Sequence, residues 1–299
     1  MNSLLETART LAEQGTDLPF AVYSSVDEQH LVNIPIIKPV MVCVLAGSKR
    51  LGANLEISCQ AGEFVFIAND PSVTMRNIPA NTRYFAVFIE FEFEDFVGLG
   101  SAVESAAECS PAGLLPAQGQ AQQLIIGKMT APFMAALQQF VECSTFVPPG
   151  LWAGRRRELL QLLIWQGYRQ IADIVASPNV RHTLHQMISA DVTHDWTITE
   201  LADRLAMSES TLRRKLSAEG TGFQAIKDGA RLGQGLHLVQ TTLDPIGLVA
   251  ERCGYQSQSR FTDKFKQLFG MTPTDLRKTR ERPADEARAV RRLNSSVTD

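Results

Sequence analysis

Between residues 198 and 265 one helical pattern occurs twice, and few structures other than paired helices satisfy it. Ile198, Leu201, Ala202 and Leu205 stand at i, i+3, i+4 and i+7, a short turn follows, and the apolar stripe resumes at Leu212 and Leu216. Ile246, Val249, Ala250 and Cys253 repeat the first part, and Phe261 and Phe265 the second. Residues so spaced share one face of a 3.6-residue helix. Each copy has the outline of a helix-turn-helix, and a tandem pair reads as an all-helical DNA-binding domain.

Local chemistry sets the helix starts independently of that spacing. Thr197 with Glu200 forms a capping box, and Asp244 followed by Pro245 supplies an N-cap and a first-turn proline. Ser208 and Ser257 each stand four residues before the next stripe residue, Leu212 and Phe261, where they cap the second helix of each unit. With Leu212 and Leu216 inward, a 100° step turns Ser210, Arg213, Arg214 and Ser217 outward. In the second unit Ser259, Thr262, Asp263 and Lys266 face out, with Gln258 and Arg260 near the helix N-terminus. Arginine reads guanine, glutamine reads adenine, and Ser, Thr and Lys hold phosphates. A plain solvated helix face is the alternative, but both copies carry suitable residues in one register.

The run YQSQSRFTDKFKQLFGMTPTDLR, Tyr255 to Arg277, preceded by VAERCG, resembles the signature of the AraC/XylS family of bacterial transcription regulators. The similarity covers roughly Arg181 to Arg280. It implies seven helices, with two helix-turn-helix units on a linker helix entering successive major grooves on one side of double-stranded DNA. The family's base contacts fall on Ser210, Arg213 and Arg214 in the first unit and on Gln258, Ser259 and Arg260 in the second. Three departures stand out. Asp263 occupies a place where many members have Arg, and it repels phosphate. Leu212 and Leu216 replace aromatics. The linker helix, about Phe223 to Gln240, holds Gly229, Gly233 and Gly235; each costs about 1 kcal/mol relative to Ala, so the helix is either pliant or closely packed there.

At 299 residues the chain exceeds one comfortable core, so two domains are expected. Charge divides them: residues 1–145 carry 7 basic against 15 acidic side chains, residues 181–280 carry 14 against 11. The mild positive balance of the second part leaves affinity to placed contacts and dimerisation. No apolar run approaches the roughly 20 residues of a membrane span, and the N-terminus lacks a basic region followed by an apolar one. A cytoplasmic protein without a membrane partner is expected. Five dispersed cysteines without CxxC spacing, Cys43, Cys59, Cys109, Cys143 and Cys253, read as buried thiols in a reducing compartment.

The front half reads as strands. Val40 to Leu45, Leu55 to Ser58, Phe64 to Ala68 and Tyr84 to Phe93 are β-branched and aromatic runs between Gly, Asn, Asp and Pro signals, predicting a small antiparallel barrel or sandwich. The stretch Ala61 to Met75 is similar to the turn-strand-turn of cupin barrels, so the family resemblance implies a cupin-like barrel. In the last run Glu90, Glu92 and Glu94 alternate with Ile89, Phe91 and Phe93, one wet face against one buried. Val42, Val44, Phe64, Phe66, Phe85 and Val87 read as core, with pocket lining as the alternative. His30 is the one histidine of this half, so the His and Glu cluster of a metal-dependent cupin has no ligands. GxSxG, P-loop and HExxH motifs are absent, and His182 with His185 supplies two metal ligands at most. No catalytic residue, metal or cofactor is expected.

Helical material joins the halves. Gln120 to Val141, interrupted by Pro132, predicts two short helices. Arg156 to Val175 carries a stripe through Leu159, Leu160, Leu163, Ile164 and Ile171, resembling a helix that often mediates dimerisation in the family, with Arg155 to Arg157 as its solvated start. The expected division is a barrel over 1–117, a helical segment over 118–176, a linker over 177–180, the DNA-binding domain over 181–280 and a disordered tail over 281–299. The expected function is a sequence-specific transcription regulator, an activator, whose N-terminal domain senses a signal or mediates dimerisation. Its partners are promoter DNA, RNA polymerase, a second copy in a homodimer, and a small-molecule effector or a regulatory protein. A constitutive regulator with the barrel as scaffold, and a barrel enzyme fused to a DNA-binding module, are the alternatives.

Overall fold

The computed structural model describes residues 2–13, 18–68, 70–80, 83–99, 124–174 and 179–280. Helix α1 (Asn2–Glu13) precedes eight strands: β1 (Ala21–Ser25), β2 (Gln29–Ile36), β3 (Val40–Ala46), β4 (Ser48–Leu51), β5 (Ile57–Gln60), β6 (Glu63–Ile67), β7 (Asp70–Ile78) and β8 (Tyr84–Glu90). With β9 (Leu124–Lys128) they form two antiparallel sheets, ordered β1-β8-β3-β6-β9 and β2-β7-β4-β5.

The five-stranded sheet is a wall with a core on each face, which is why its strands read as unbroken apolar runs. Met41, Cys43, Leu45, Phe64, Phe66, Phe85 and Val87 face an outer core. That core is completed by α1, α2 (Ala131–Cys143) and α3 (Trp152–Trp165), through Leu4, Phe133, Leu137, Leu159, Leu160 and Leu163. Their sequence neighbours Val42, Val44, Val65 and Ala86 point the other way, into the space between the sheets.

The chain beyond residue 179 is helical: α4 (Val180–Ala190), α5 (Ile198–Arg204), α6 (Glu209–Ala218), α7 (Phe223–Thr241), α8 (Ile246–Arg252), α9 (Gln258–Phe269) and α10 (Pro273–Lys278). Ile226 and Ala230, in the first half of α7, pack with Leu184, Leu201, Leu212 and Leu216 in a core of their own. Leu232, Leu236 and Val239, in its second half, join Phe261, Phe265 and Phe269. This last cluster is continuous with the inner core of the barrel, including Leu31, Ile34 and Met75.

Several expectations need correction. The segment read as two helices is strand β9, paired with β6, and then one helix, α2, in which Pro132 occupies the first turn, where its missing N–H is harmless. A strand therefore lies within the 118–176 segment taken as helical. The acidic alternation ends at Glu90: Phe93–Phe96 form a 3-10 turn, and Glu92 pairs with Lys38 at 2.6 Å. Arg155 is a surface group paired with Glu158, but Arg156 reaches the buried Asp95 (2.5 Å), and Arg157 donates to the Val97 carbonyl (2.8 Å). Val42, Val44, Phe64, Phe66, Phe85 and Val87 are core. Ser177 and Pro178 of the linker, Cys109 and the 281–299 tail lie outside the described residues.

Lys49 on β4 is fully buried, its amine donating to Asn77 Oδ1 (2.6 Å) and Met75 Sδ (2.8 Å). Burial pulls that amine down to about 7, against about 10.4 for a lysine in an unfolded chain. Between those values the unfolded state binds the additional proton, so stability should rise with pH, the penalty being full below pH 7. Urea unfolding at pH 7 and pH 9 tests this, because wild type should gain more than Lys49→Met; equal gains would refute it.

Candidate nucleic-acid interface

The two units are built alike. Helix α5 ends in paired hydrogen bonds, Met207 N–H to the Ala202 carbonyl and Ala206 N–H to the Asp203 carbonyl, both 3.0 Å. Helix α8 ends the same way, with Tyr255 N–H to Ala250 (2.9 Å) and Gly254 N–H to Glu251 (2.8 Å). This pattern demands a left-handed residue just past the helix. Gly254 supplies it at φ 74°, and Ala206 adopts it at φ 51° despite its Cβ. The turn then leads to the outward helix, capped by Ser208, which accepts from Thr211 N–H (3.3 Å), or by Ser257, which accepts from Arg260 N–H (3.4 Å). Thr197 caps α5 by accepting from Glu200 N–H (3.2 Å).

Two capping assignments change. The Glu200 carboxylate does not return to the cap but binds Arg204 (3.1 Å) and His194 (2.9 Å), closing half of the predicted box. Asp244 is not an N-cap: the Pro245 carbonyl accepts the first helical bond, from Val249 N–H, so the cap position falls on Pro245. The Asp244 carboxylate instead pairs with Arg252, and its carbonyl accepts from Arg277.

On α6, Ser210, Arg213, Arg214 and Ser217 are exposed while Leu212 and Leu216 are buried. On α9, Gln258, Ser259, Arg260, Asp263 and Lys266 are exposed and Thr262 is half-buried, over buried Phe261 and Phe265. The arginines of α6 differ. Arg213 is held by Glu209 one turn earlier (3.4 Å), whereas Arg214 has no ion pair among the described residues. A hydrogen bond from Thr199, and then Arg213, hold the Glu209 carboxyl below its usual range. Glu209 was missed as part of this face, although its i, i+4 spacing to Arg213 was legible.

Helix α7 fixes both units. Lys227 donates to Asp195 (2.6 Å) and to the Trp196 carbonyl (2.9 Å) beside the first unit, and Asp228 holds Lys264 of α9 (2.5 Å). Of its glycines, Gly235 is a close approach: a Cβ there would stand 2.7 Å from the Phe261 ring. At Gly229 and Gly233 an added Cβ meets nothing within 4 Å. Gly233 lines a cavity of about 770 Å3 between the barrel and the helical domain, walled also by Tyr23, Lys38, Asn77, Phe88 and His237. Burial moves the His237 imidazole below its usual range, and its Nδ1 meets the Tyr23 hydroxyl at 3.1 Å. His182 packs edge-on against Phe93, and among the described residues no three His, Cys, Asp or Glu side chains gather as a metal site. No helix among them is long and apolar enough to cross a membrane.

Residues 201–279 match the profile of a family described as a helix-turn-helix domain. The HTH-type transcriptional regulator GadX of Escherichia coli O6:H1 is 37% identical over 112 residues, 38% of this chain and 40% of that protein. Transcriptional regulator SirC of Salmonella typhimurium is 36% identical over 99 residues, 33% of this chain and 34% of that one. The similarity thus spans at most about 40% of the length of these curated relatives. In fold the likeness is longer. ToxT from Vibrio cholerae superposes with a TM-score of 0.62 at 14% identity, over 89% of this chain and 100% of that one. A structure of ToxT described as bound to an unsaturated fatty acid gives 0.57 at 13% identity, over 87% and 95%.

Proposed function

Residues 201–279 carry a helix-turn-helix domain, and from that premise we propose that the chain is a transcription regulator of the AraC/XylS type, an activator, that binds a promoter sequence through α6 and α9. The observation that carries the reading is the pair of capped helices, each with polar and basic side chains outward and both fixed to one linker helix. Ser210, Arg213, Arg214 and Ser217 are assigned to one DNA block, and Gln258, Ser259, Arg260, Thr262 and Lys266 to the next. Such a protein is no enzyme; it acts in the cytoplasm and meets RNA polymerase at the promoter. Phe146, Leu151 and Trp165, exposed beside α3, support a homodimer formed through the helical layer. The cavity at Tyr23, Lys38 and His237 is assigned as the effector site. Its largely apolar wall suits an elongated molecule of the kind that the fatty-acid-bound ToxT structure names for that protein.

Selection of bound DNA by the full-length protein should enrich two blocks about one helical turn apart. On that site Arg214→Ala is expected to weaken binding by about 1–3 kcal/mol with relaxed sequence preference. Arg213→Ala should cost less, since Glu209 already holds its guanidinium. Unchanged binding by both variants would sink the assignment.

A further inference from the structure

Across the four-stranded sheet, Gln29, Asn77, Lys49 and Cys59 are successive cross-strand neighbours, and all four are buried. Polar side chains in such a row must be bonded. Three of these four are bonded in series and in one direction. Lys49 Nζ donates to Asn77 Oδ1 (2.6 Å), Asn77 Nδ2 to Gln29 Oε1 (3.0 Å), and Gln29 Nε2 to Thr279 Oγ1 (2.7 Å). Thr279 Oγ1 then donates to the Leu276 carbonyl (2.6 Å). The series begins inside the barrel and ends just past α10, where Val26 N–H also donates to the Thr279 carbonyl (2.8 Å).

Around this series the buried contact between the barrel and the second unit is apolar, with Leu31, Ile34, Leu236 and Phe269 in one cluster, and the polar contacts at its edge include Asn33 Nδ2 to the Leu268 carbonyl (3.2 Å) and Tyr23 to His237 (3.1 Å). Apolar contact is non-directional and tolerates sliding. A hydrogen-bonded series does not, because a shift of one residue leaves buried donors and acceptors without partners. The first unit is outside this arrangement: its core holds no barrel residue. Asn77 and Met75, the two groups that hold the Lys49 amine, both line the interdomain cavity.

We propose that Lys49, Asn77, Gln29 and Thr279 form a latch that fixes the second helix-turn-helix unit in one register on the barrel. Through it, a change at the cavity wall reaches that unit, whereas the first unit meets the cavity directly, at Ala230 and α4. The latch alters the geometry between the two recognition helices without touching either DNA-reading face. Its regulatory meaning rests on the DNA-binding reading above; its existence as a coupled unit does not.

The test is hydrogen-deuterium exchange by mass spectrometry on full-length protein without DNA, comparing wild type, Thr279→Val, Lys49→Met and the double variant. Thr279→Val removes the hydroxyl at constant shape. Each single variant is expected to speed exchange roughly ten-fold in residues 26–31 and 272–280 while β3 and β8 keep their protection. The double variant should add little, since both changes break one series. Lys49→Met leaving 272–280 unchanged, or effects that multiply in the double variant, would overturn the latch. If Lys49→Met does not fold, Gln29→Met takes its place with the same two outcomes. Binding to a two-block site and to a single-block site is then measured: Thr279→Val should weaken the first about ten-fold more than the second. Loss of protection in a protein that selects no DNA would refute the regulator reading and leave the latch standing.

Discussion

Asp95→Ala is expected to lower the stability of the barrel and its helical cover by about 3–5 kcal/mol, the cost of breaking a buried ion pair from one side. Asp95 is 1% exposed and accepts both arms of Arg156, at 2.5 and 3.2 Å, together with Glu92 N–H at 2.9 Å. Its removal leaves a guanidinium that is 13% exposed without a counter-charge and a backbone donor without an acceptor. Because the pair joins the 3-10 turn Phe93–Phe96 to α3, the helical layer should loosen before the barrel does. Asp95→Asn keeps an acceptor for Glu92 and should fall between. Urea unfolding checks both, and a loss below about 1 kcal/mol, the range of surface pairs, would show that the pair is effectively solvated.

Glycine-to-alanine changes along α7 should differ in sign within one helix. At Gly235 the new methyl meets the Phe261 ring, which is fully buried and wedged between Tyr255 and Phe265. Overpacking of this kind costs about 1–3 kcal/mol, more than the gain of about 1 kcal/mol in helix propensity. Net destabilisation and weaker DNA binding by the second unit are expected. Gly229→Ala and Gly233→Ala add a methyl to open space and should stabilise by about 0.5–1 kcal/mol. Thermal unfolding of the three variants decides it: a stabilised Gly235→Ala would mean that the two helices are not in close contact.

The helical domain was legible in the sequence because its signals agree. The 3.6-residue stripe and the caps at Thr197, Ser208 and Ser257 point to the same boundaries, so the outward faces of α6 and α9 followed directly. Where one signal stood alone it misled. Asp244 before a proline looks like a cap, but the helix starts from the proline's own carbonyl. Strand β9 was hidden because Leu124, Ile125 and Ile126 fit a buried helix as well as a strand. Strands β2, β4 and β7 were hidden for a different reason: their inward faces include Gln29, Lys49 and Asn77, which read as solvent-facing. The network that satisfies them spans 250 residues between Gln29 and Thr279, and no local pattern carries that information.

The inner core that runs from Leu31 and Ile34 into Phe265 and Phe269 bears on how such chains recombine and fold. The segment recognisable by sequence, residues 201–279, begins within one apolar core and ends within another that belongs partly to the barrel. A fragment cut at that boundary loses Leu184, Ile188, Trp196 and Ile198 from the first unit's core and exposes an apolar wall on the second. Heating the intact protein should accordingly melt the second unit together with the barrel, as one cooperative block, and the first unit by itself. Exchange of DNA-binding domains between relatives then requires the recipient barrel to offer the same apolar face, so the piece that is inherited as a module is not the piece that folds as one.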